Sequence, residues 1–365
     1  MPFNTLDYLL CRGDMPFEKS PINLVDQFIF SQLSTPDYQD IVSHGKKEIT
    51  VAEAAEAYFE THSDDYKSIG ILQSRYVLTM FNELCRTTRF RDAVLCGYGS
   101  RVRHEKEEQF AAVTIRLSDD LSCVSFRGTD DTLTGWKEDC NLAVMDRVPA
   151  QRDAVEYLKR AAKNYPGRLM TTGHSKGGNL AIYAAASVPP EIRCRIVSAV
   201  SFDGPGFREG FLNSEGYLEI KDRVITVLPH NSIVGILLNM AGAPCYVHSS
   251  MKGPFTHDGF NWDVLGTDFV REDGLGTISR KIKEILAETL DSLSDSEKET
   301  FIDALFDRMT DTGARSVTEI AKLPIRDKVK MLGSMKNDPC LADFADRMIQ
   351  VAKQTVLPEK LSQLI

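Results

Sequence analysis

The fold of this chain is decided by the stretch Arg168 to Ala181, RLMTTGHSKGGNLA. A short apolar run ends in Gly-His-Ser-Lys-Gly, and a run of small helix-favouring residues follows up to Ala186. In this strand–turn–helix context the pattern G-x-S-x-G predicts a nucleophile elbow, which lifts a serine hydroxyl above a sheet. Glycines flank the serine because so tight a turn leaves no room for β-carbons. We therefore predict that Ser175 is a nucleophile at a helix N-terminus; the alternative is a glycine-rich β–α turn without chemistry.

Length and composition narrow the class of protein. A chain of 365 residues is long enough for about two domains. Its hydrophobic content of 42% and charged content of 26% are ordinary for a soluble globular protein. The formal net charge of −9 argues against nonspecific nucleic-acid binding, which needs a basic surface. We therefore predict no nucleic-acid partner.

Targeting and cysteine patterns favour a cytoplasmic protein. Acidic and basic residues interrupt the first twenty positions, so we predict no secretion signal there. The most apolar segment, 233–247, contains Asn239, Gly242 and Pro244 and is shorter than a membrane span. The eight cysteines have no C-x-x-C spacing and are expected to be reduced thiols. No His/Cys or His/Glu pairing suits a metal, and neither a metal nor a cofactor is predicted.

The pattern along the chain suggests three regions. Residues 1–90 are predicted to be a helical cap or buttress, with one helix beginning near Pro21, a capping box at Thr50 to Glu53, and a third helix from about Ser68 to Cys85. Residues 91–266 are predicted to be the α/β core. Residues 267–365 show helical periodicity to the end, and their role is not predicted.

Buried strands alternate with helices through the core. The predicted strands are Phe110–Leu117, Leu121–Phe126, the run before the elbow, Ile196–Phe202, Arg223–Leu228 and Cys245–Ser249. A helix is predicted from about Arg152 to Asn164. This alternation predicts an α/β fold with a doubly wound, mostly parallel sheet. Chemistry in such sheets lies at the carboxyl ends of the strands, so the loops after Phe126, Thr172, Phe202 and Leu228 should converge.

Two backbone N–H groups are candidates for an oxyanion hole. The residue after the nucleophile, Lys176, should supply one. The second should come from the loop after an earlier strand, where Phe126-Arg127-Gly128-Thr129 follows directly. The glycine permits close backbone approach, and Thr129 offers an N–H and a hydroxyl. The alternative for this loop is a plain β-turn.

The candidate acid is Asp203, at the tip of the strand after the elbow. It stands in Asp203-Gly204-Pro205-Gly206, a turn that would face Ser175. Aspartate is also common in turns for its own backbone hydrogen bonds. Asp222 and Asp258 are weaker competitors.

The base is sought among seven histidines. In the order common to α/β-hydrolases the serine comes first, then the acid, then the histidine, which leaves His230, His248 and His257. His257 is favoured because it lies in a Gly-rich loop past the last predicted strand. His174, inside the elbow, is expected to pack and hydrogen-bond. Three further histidines are expected at the surface: His44, His62 and His104.

These motifs resemble class 3 lipases of the α/β-hydrolase fold. The resemblance rests on Phe126-Arg127-Gly128-Thr129, on the elbow, and on the strand pattern between them. More closely, the chain is similar to a bacterial group of such hydrolases, the Mbeg-like proteins. That similarity includes Asn4-Thr5-Leu6-Asp7-Tyr8, the elbow as G-H-S-K-G-G-N-L-A, and His257-Asp258 with Trp262 downstream. It implies Ser175 as nucleophile and the N–H groups of Thr129 and Lys176 as oxyanion donors.

The chain departs from the class 3 pattern at the acid. Those lipases carry it in an Asn-Asp-x-Val stretch, where this chain reads Asn231-Ser232-Ile233-Val234. Asp203 on the preceding strand is placed to replace it, because Asp-Gly-Pro resembles the Asp-Pro-Ala turn of pancreatic-type lipases. Lys176 replaces the usual leucine, and its ammonium is expected to favour an anionic substrate or leaving group.

The resulting hypothesis is a serine hydrolase that cleaves carboxylic esters, small or lipid, through Ser175, His257 and Asp203. The run Ile233–Met240 is a candidate acyl-chain wall, or alternatively a core helix. Acyl transfer or thioester hydrolysis would use the same machinery. A degenerate hydrolase acting as a binding or scaffold protein is a further alternative, suggested by the missing class 3 aspartate.

Overall fold

The structure is a computed structural model that describes residues 3–42, 48–62, 74 and 76–362, with side chains up to residue 353. His44 and the beginning of the predicted helix at Ser68 lie outside the described residues. Eight strands form the main sheet: β1 (Ile49–Thr50), β2 (Val94–Arg103), β3 (Glu108–Ser118), β4 (Leu121–Phe126), β5 (Arg168–His174), β6 (Ile196–Phe202), β7 (Val224–Pro229) and β8 (Ala243–Val247). Two short strands pair separately, β9 (Val264–Leu265) and β10 (Asp268–Phe269).

The helices surround this sheet. Those of the first half are α1 (Thr5–Arg12), α2 (Leu24–Gln32), α3 (Val51–Thr61), α4 (Tyr76–Leu84), α5 (Leu133–Asn141), α6 (Pro149–Asn164) and α7 (Lys176–Ser187). The later helices are α8 (Pro190–Arg193), α9 (Glu209–Leu212), α10 (Glu215–Ile220), α11 (Thr277–Asp291), α12 (Asp295–Thr310), α13 (Val317–Lys322), α14 (Ile325–Asn337) and α15 (Pro339–Ser362). None of the described helices has an apolar stretch long enough to cross a membrane.

The strands lie in sequence order across the sheet. Strands β1 to β4 pair antiparallel, and β4 to β8 pair parallel. The carboxyl ends of β4 to β8 therefore share one edge of the sheet. This architecture confirms the predicted α/β-hydrolase fold with a mostly parallel sheet. The sheet is not doubly wound as predicted, because the strand order advances in one direction and never reverses.

Different helices cover the two faces. The crossover helices α6, α7 and α10 pack in one cluster on one face, because consecutive right-handed crossovers advance in the same direction. The N-terminal helices α1 to α4 cover the other face. Successive side chains along β6 point to opposite faces of the sheet: Ala199 packs with the crossover helices, and Val200 packs with the N-terminal helices. The N-terminal helices thus bury a sheet face that would otherwise remain apolar and exposed.

Local chemistry explains where elements differ from their predicted bounds. The helix predicted near Pro21 begins at Leu24, because Asn23 caps it: the Asn23 side chain accepts from the N–H of Val25 at 2.9 Å and of Asp26 at 3.1 Å. Strand β2 was not predicted. Its sequence contains Gly97, at φ +64°, within an irregularity in the pairing with β3.

Candidate active site

Ser175 lies between β5 and α7 in a strained conformation, with φ 57° and ψ −134°. Its N–H donates to the carbonyl of Phe202 on the neighbouring strand at 2.9 Å. The turn needs glycine nearby, because a Cβ on Gly177 would lie 2.1 Å from the Phe126 carbonyl oxygen. A non-glycine residue at positive φ costs energy and marks a position held by its surroundings. The turn therefore has the geometry of a nucleophile elbow.

The loop after β4 lies directly against the elbow. A Cβ on Gly128 would be 3.2 Å from the Cβ of Ser175 and 2.8 Å from the carbonyl oxygen of His174. Thr129, the next residue, borders the same cavity as Ser175. Lys176 is the first residue of α7, so its N–H has no intrahelical acceptor. Both predicted donor residues thus flank Ser175.

The Thr129 hydroxyl donates to the Asp139 carboxylate. The other Asp139 oxygen, Oδ1, is buried without a hydrogen-bond partner among the described residues. Burial raises the pKa of Asp139 to about 6, although the Lys176 ammonium and the Thr129 hydroxyl oppose the rise. Asp139 therefore orients the Thr129 side chain through this hydrogen bond, and its pKa lies close to neutral pH.

This raised pKa gives a pH dependence of stability. The unfolded carboxyl has a pKa of about 3.9, so the folded protein holds the proton more tightly. The resulting stabilisation is complete below about pH 4 and is lost as the pH rises through about 6. We expect the unfolding free energy of the wild type, relative to Asp139→Asn, to fall by up to about 3 kcal/mol between pH 4 and pH 7. Urea unfolding of both proteins across this range measures it.

The control is Asp146→Asn, which removes an almost fully exposed carboxylate. Its unfolding free energy should follow that of the wild type at every pH. A constant difference between Asp139→Asn and the wild type would contradict the raised pKa.

The expectation for the Lys176 ammonium is wrong. The side chain is fully buried, and Nζ donates to Glu138 Oε2 at 3.0 Å and to the Gln109 carbonyl at 2.9 Å. Glu138 also accepts from the N–H of Ala150 at 2.8 Å. A buried ammonium needs such partners, since desolvation of an unpaired charge is prohibitive. The lysine therefore joins α7 to α5, β3 and α6, and it does not face a substrate.

Asp203 directly follows β6 and is fully buried, at a φ of +48°. Its Oδ1 accepts from the Ser232 hydroxyl at 2.5 Å and from the Gly235 N–H at 3.1 Å. Its Oδ2 lies 2.7 Å from Nδ1 of His257. Ser232 stands where the class 3 pattern carries its acid, and its hydroxyl donates to the carboxylate that follows the preceding strand, β6.

His257 ends a short 3-10 turn, Gly253–His257, after β8. The buried Thr256 anchors this turn: its hydroxyl donates to the Asn231 carbonyl at 3.1 Å, and its carbonyl accepts from Trp262 Nε1 at 2.7 Å. Because a carboxylate only accepts, Nδ1 of His257 donates to Asp203 and leaves Nε2 as the basic nitrogen. Nε2 is then the ring nitrogen that can accept a proton.

His174 hydrogen-bonds as expected for a residue that does not take the serine proton. Its Nε2 donates to the His257 carbonyl at 2.7 Å, and the two rings lie 4.6 Å apart. Burial, helped by the neighbouring His257, lowers the pKa of His174 to about 3. The ring therefore stays neutral and buttresses the turn that carries His257.

The other candidate bases and acids lie elsewhere or have other partners. His230 Nδ1 donates to the Gly274 carbonyl at 2.7 Å, and His248 Nδ1 is 2.7 Å from Asp263. Asp222 precedes β7, at the opposite edge of the sheet from Ser175. Asp258 accepts from the Phe260 N–H at 3.0 Å, and burial raises its pKa. Of the two remaining histidines, His104 is exposed and His62 stacks on Tyr58.

Ser175 and His257 border one cavity of about 80 Å³. The hydrogen bonds of His174 Nε2 and His257 Nδ1 go to the His257 carbonyl and to Asp203, and neither involves the Ser175 hydroxyl. The N-terminal helical region supplies part of the wall, which sequence reasoning missed because no motif marks these positions. The residues it contributes are Ser31, Gln32, Thr35, Ser74 and Val77.

A second cavity, of about 150 Å³, lies on the side of the C-terminal helices. The run Ile233–Met240 contributes Leu237 and Leu238 to its wall, and this run is a loop, so the core-helix alternative is wrong. Leu238 has a φ of +62°, a strained conformation for leucine. The other lining residues are Asp139, Cys140, Ala143, Pro205, Leu290, Leu293, Lys298, Phe301, Ile302 and Phe344.

The chain is similar to a family model and to several solved structures. Among solved structures, the chain is similar to M37 lipase (15% identity, 58% of this chain and 69% of that chain, TM-score 0.34) and to lipase II from Rhizopus niveus (13% identity, 64% and 92%, TM-score 0.36). The Rhizomucor miehei lipase propeptide complex matches at 13% identity over 67% and 80%, with a TM-score of 0.35. No curated protein matches. A family model described as Mbeg1-like matches residues 84–307 and confirms the resemblance drawn from the sequence. Because this match spans more than half of the chain, the protein belongs to the Mbeg1-like family.

Proposed function

We propose that this protein is a lipase- or esterase-like serine hydrolase that cleaves carboxylic esters. Ser175 is the nucleophile, His257 the general base and acid, and Asp203 the residue that orients His257. The observation that carries the proposal is the 2.7 Å contact between Nδ1 of His257 and the buried Asp203, because His257 and Ser175 line the same cavity. A base oriented by a third group beside a serine elbow is the arrangement that activates a serine.

The reaction begins when Nε2 of His257 takes the Ser175 proton and Oγ attacks the ester carbonyl carbon. The carbonyl oxygen becomes an oxyanion, which accepts hydrogen bonds from the N–H groups of Thr129 and Lys176. Collapse of this intermediate breaks the bond to the alcohol, and His257 returns the proton to the leaving oxygen. Water then attacks the acyl-enzyme by the same steps and regenerates Ser175.

Asp203 stabilises the imidazolium that forms while His257 holds the proton. Its second oxygen is bonded to Ser232 and Gly235, which keeps the carboxylate fixed in a buried site. A fixed carboxylate also prevents the tautomer that would place a proton on Nε2. These bonds support a functional acid at Asp203. They therefore weaken the alternative of a degenerate scaffold protein, which was suggested by the missing class 3 aspartate.

An active-site fluorophosphonate probe tests the proposal. The folded wild-type protein should be labelled once, and peptide mass spectrometry should locate the label on Ser175. Heat-unfolded protein and Ser175→Ala should remain unlabelled. Absence of labelling, under conditions in which a known serine hydrolase reacts fully, would reject the proposed nucleophile.

The apolar cavity makes a prediction about acyl length. Trp136 borders the catalytic cavity and Cys140 the apolar one, and four residues of α5 separate them by about 6 Å. A cavity of about 150 Å³ lined by Leu, Ile and Phe holds a six-carbon hydrocarbon such as benzene. An octanoyl chain spends most of its length crossing the distance of about 6 Å between the cavities, so Ala143→Trp, which should fill the apolar cavity, would exclude about two methylenes, worth about 0.8 kcal/mol each. We therefore expect kcat/KM for an octanoyl ester to fall about tenfold relative to an acetyl ester.

The matched control is Ala345→Trp, which adds the same bulk at an exposed position of α15. It should leave the ratio of octanoyl to acetyl activity unchanged. An unchanged ratio in Ala143→Trp would show that the acyl chain lies elsewhere, while the activity on acetyl esters tests the hydrolase itself.

A further inference from the structure

Helix α14 presents an apolar stripe that no described residue covers. Ile325 is 81% exposed, Val329 63% and Leu332 59%. Spacings of four and three residues place them on one face of the helix. No residue of α14 is buried, and its packed side contacts α12 and α15. A row of three large aliphatic side chains exposed to water is typical of an interaction surface.

The charges around this stripe are basic in an acidic chain. From Lys322 to Lys336 there are five basic residues and one acidic residue, a net formal charge of +4, whereas the whole chain carries −9. Arg326 is 94% exposed, and Lys330 and Lys336 are also exposed. Helical spacing puts Lys336 in line with the stripe, with Arg326 and Lys330 along one flank. The apolar row is therefore bordered by cations.

We propose that α14 docks this protein onto an anionic phospholipid surface. A helix with an apolar row and flanking Lys and Arg lies in the plane of a membrane interface, with its apolar side chains among the upper acyl chains and its cations at the phosphates. A second copy of the chain fits less well, because the two basic faces would repel one another. The docking is independent of the proposed triad.

Vesicle co-sedimentation of the full chain tests the docking. At about 0.05 M salt the protein should sediment with vesicles of phosphatidylcholine and phosphatidylglycerol at least tenfold more tightly than with phosphatidylcholine alone. Raising the salt to about 0.5 M should release it, because screening shortens the range of the attraction. Val329→Asp with Leu332→Asp, and separately Arg326→Glu with Lys330→Glu, should each weaken binding at least tenfold.

The matched control is Leu10→Asp with Leu265→Asp, which changes two leucines that are 74% and 75% exposed outside α14. It should bind acidic vesicles as the wild type does. Circular dichroism and thermal unfolding should show that every variant is folded. The proposal is overturned if the wild type ignores acidic vesicles, if the α14 variants bind normally, or if light scattering shows that Val329→Asp with Leu332→Asp breaks a dimer instead.

Discussion

Replacing Ser175 by alanine should abolish ester hydrolysis, with kcat for p-nitrophenyl butyrate falling on the order of 10⁶-fold or to the uncatalysed background. The reason is chemical: without Oγ no acyl-enzyme forms, and only the oxyanion donors and substrate binding remain. Initial rates of hydrolysis, measured at equal concentrations of folded wild type and variant, check this expectation. Because alanine is smaller than serine and Ser175 heads α7 without a side-chain cap bond, the fold should be retained.

The matched control is Ser31→Ala, which removes another hydroxyl from the wall of the same cavity. The Ser31 hydroxyl donates to the Phe28 carbonyl at 2.6 Å and has no place in the proposed reaction. Its loss should change kcat less than tenfold. If Ser175→Ala retained more than about one per cent of the wild-type rate, the nucleophile would have to be sought elsewhere.

The sequence was sufficient to predict the structure wherever a short motif determines its own backbone geometry. The elbow needs Gly177 because a Cβ at this position would lie 2.1 Å from the Phe126 carbonyl oxygen, and the five-residue motif already shows this requirement. The prediction that loops after parallel strands converge selected Asp203, and the order of serine, acid and histidine selected His257. The structure brings these two side chains within 2.7 Å, and their catalytic roles remain the proposal made above.

The sequence was insufficient where a side chain's surroundings come from distant segments. The Lys176 ammonium was expected to face a substrate. It points instead to the Glu138 carboxylate, and Glu138 lies on α5, a helix that was not predicted. The contribution of α2 to the cavity beside Ser175 likewise depends on how the N-terminal helices pack on the sheet. Strand β2 escaped prediction because its glycines weaken the alternation typical of strands. Contacts between remote segments, rather than local propensity, decided each of these points.

Replacing Asp203 by asparagine should lower kcat about 10⁴-fold, the loss seen when the orienting acid of a serine protease is changed in this way. The amide keeps the shape of the carboxylate, but its NH₂ group can donate to Nδ1 of His257. The proton of the imidazole then moves to Nε2, and the ring no longer accepts the serine proton. Initial rates with the same ester, measured at equal concentrations of folded wild type and variant, check this expectation.

Asp258→Asn is the matched control, because Asp258 adjoins His257 and borders the same cavity but makes no described bond to its ring. Its effect should stay below tenfold. Ser232→Ala should cost about 10- to 100-fold at most, since a hydrogen bond to a charged group contributes about 1.5–3 kcal/mol. If Asp203→Asn left kcat nearly unchanged, the orienting acid would have to be another carboxylate.

The double variant Asp203→Asn with Ser232→Asp tests whether the acid can return to the class 3 position. The Ser232 hydroxyl lies 2.5 Å from the Asp203 carboxylate, so an aspartate at 232 brings its charge to the same buried site. We expect it to raise kcat at least tenfold above that of Asp203→Asn alone. Ser232→Asp in the wild-type background should instead destabilise the protein, because two buried carboxylates would then lie within contact and could not both ionise. Rescue in one background and destabilisation in the other would mean that His257 requires a carboxylate at this point in space, and that the strand supplying it is interchangeable.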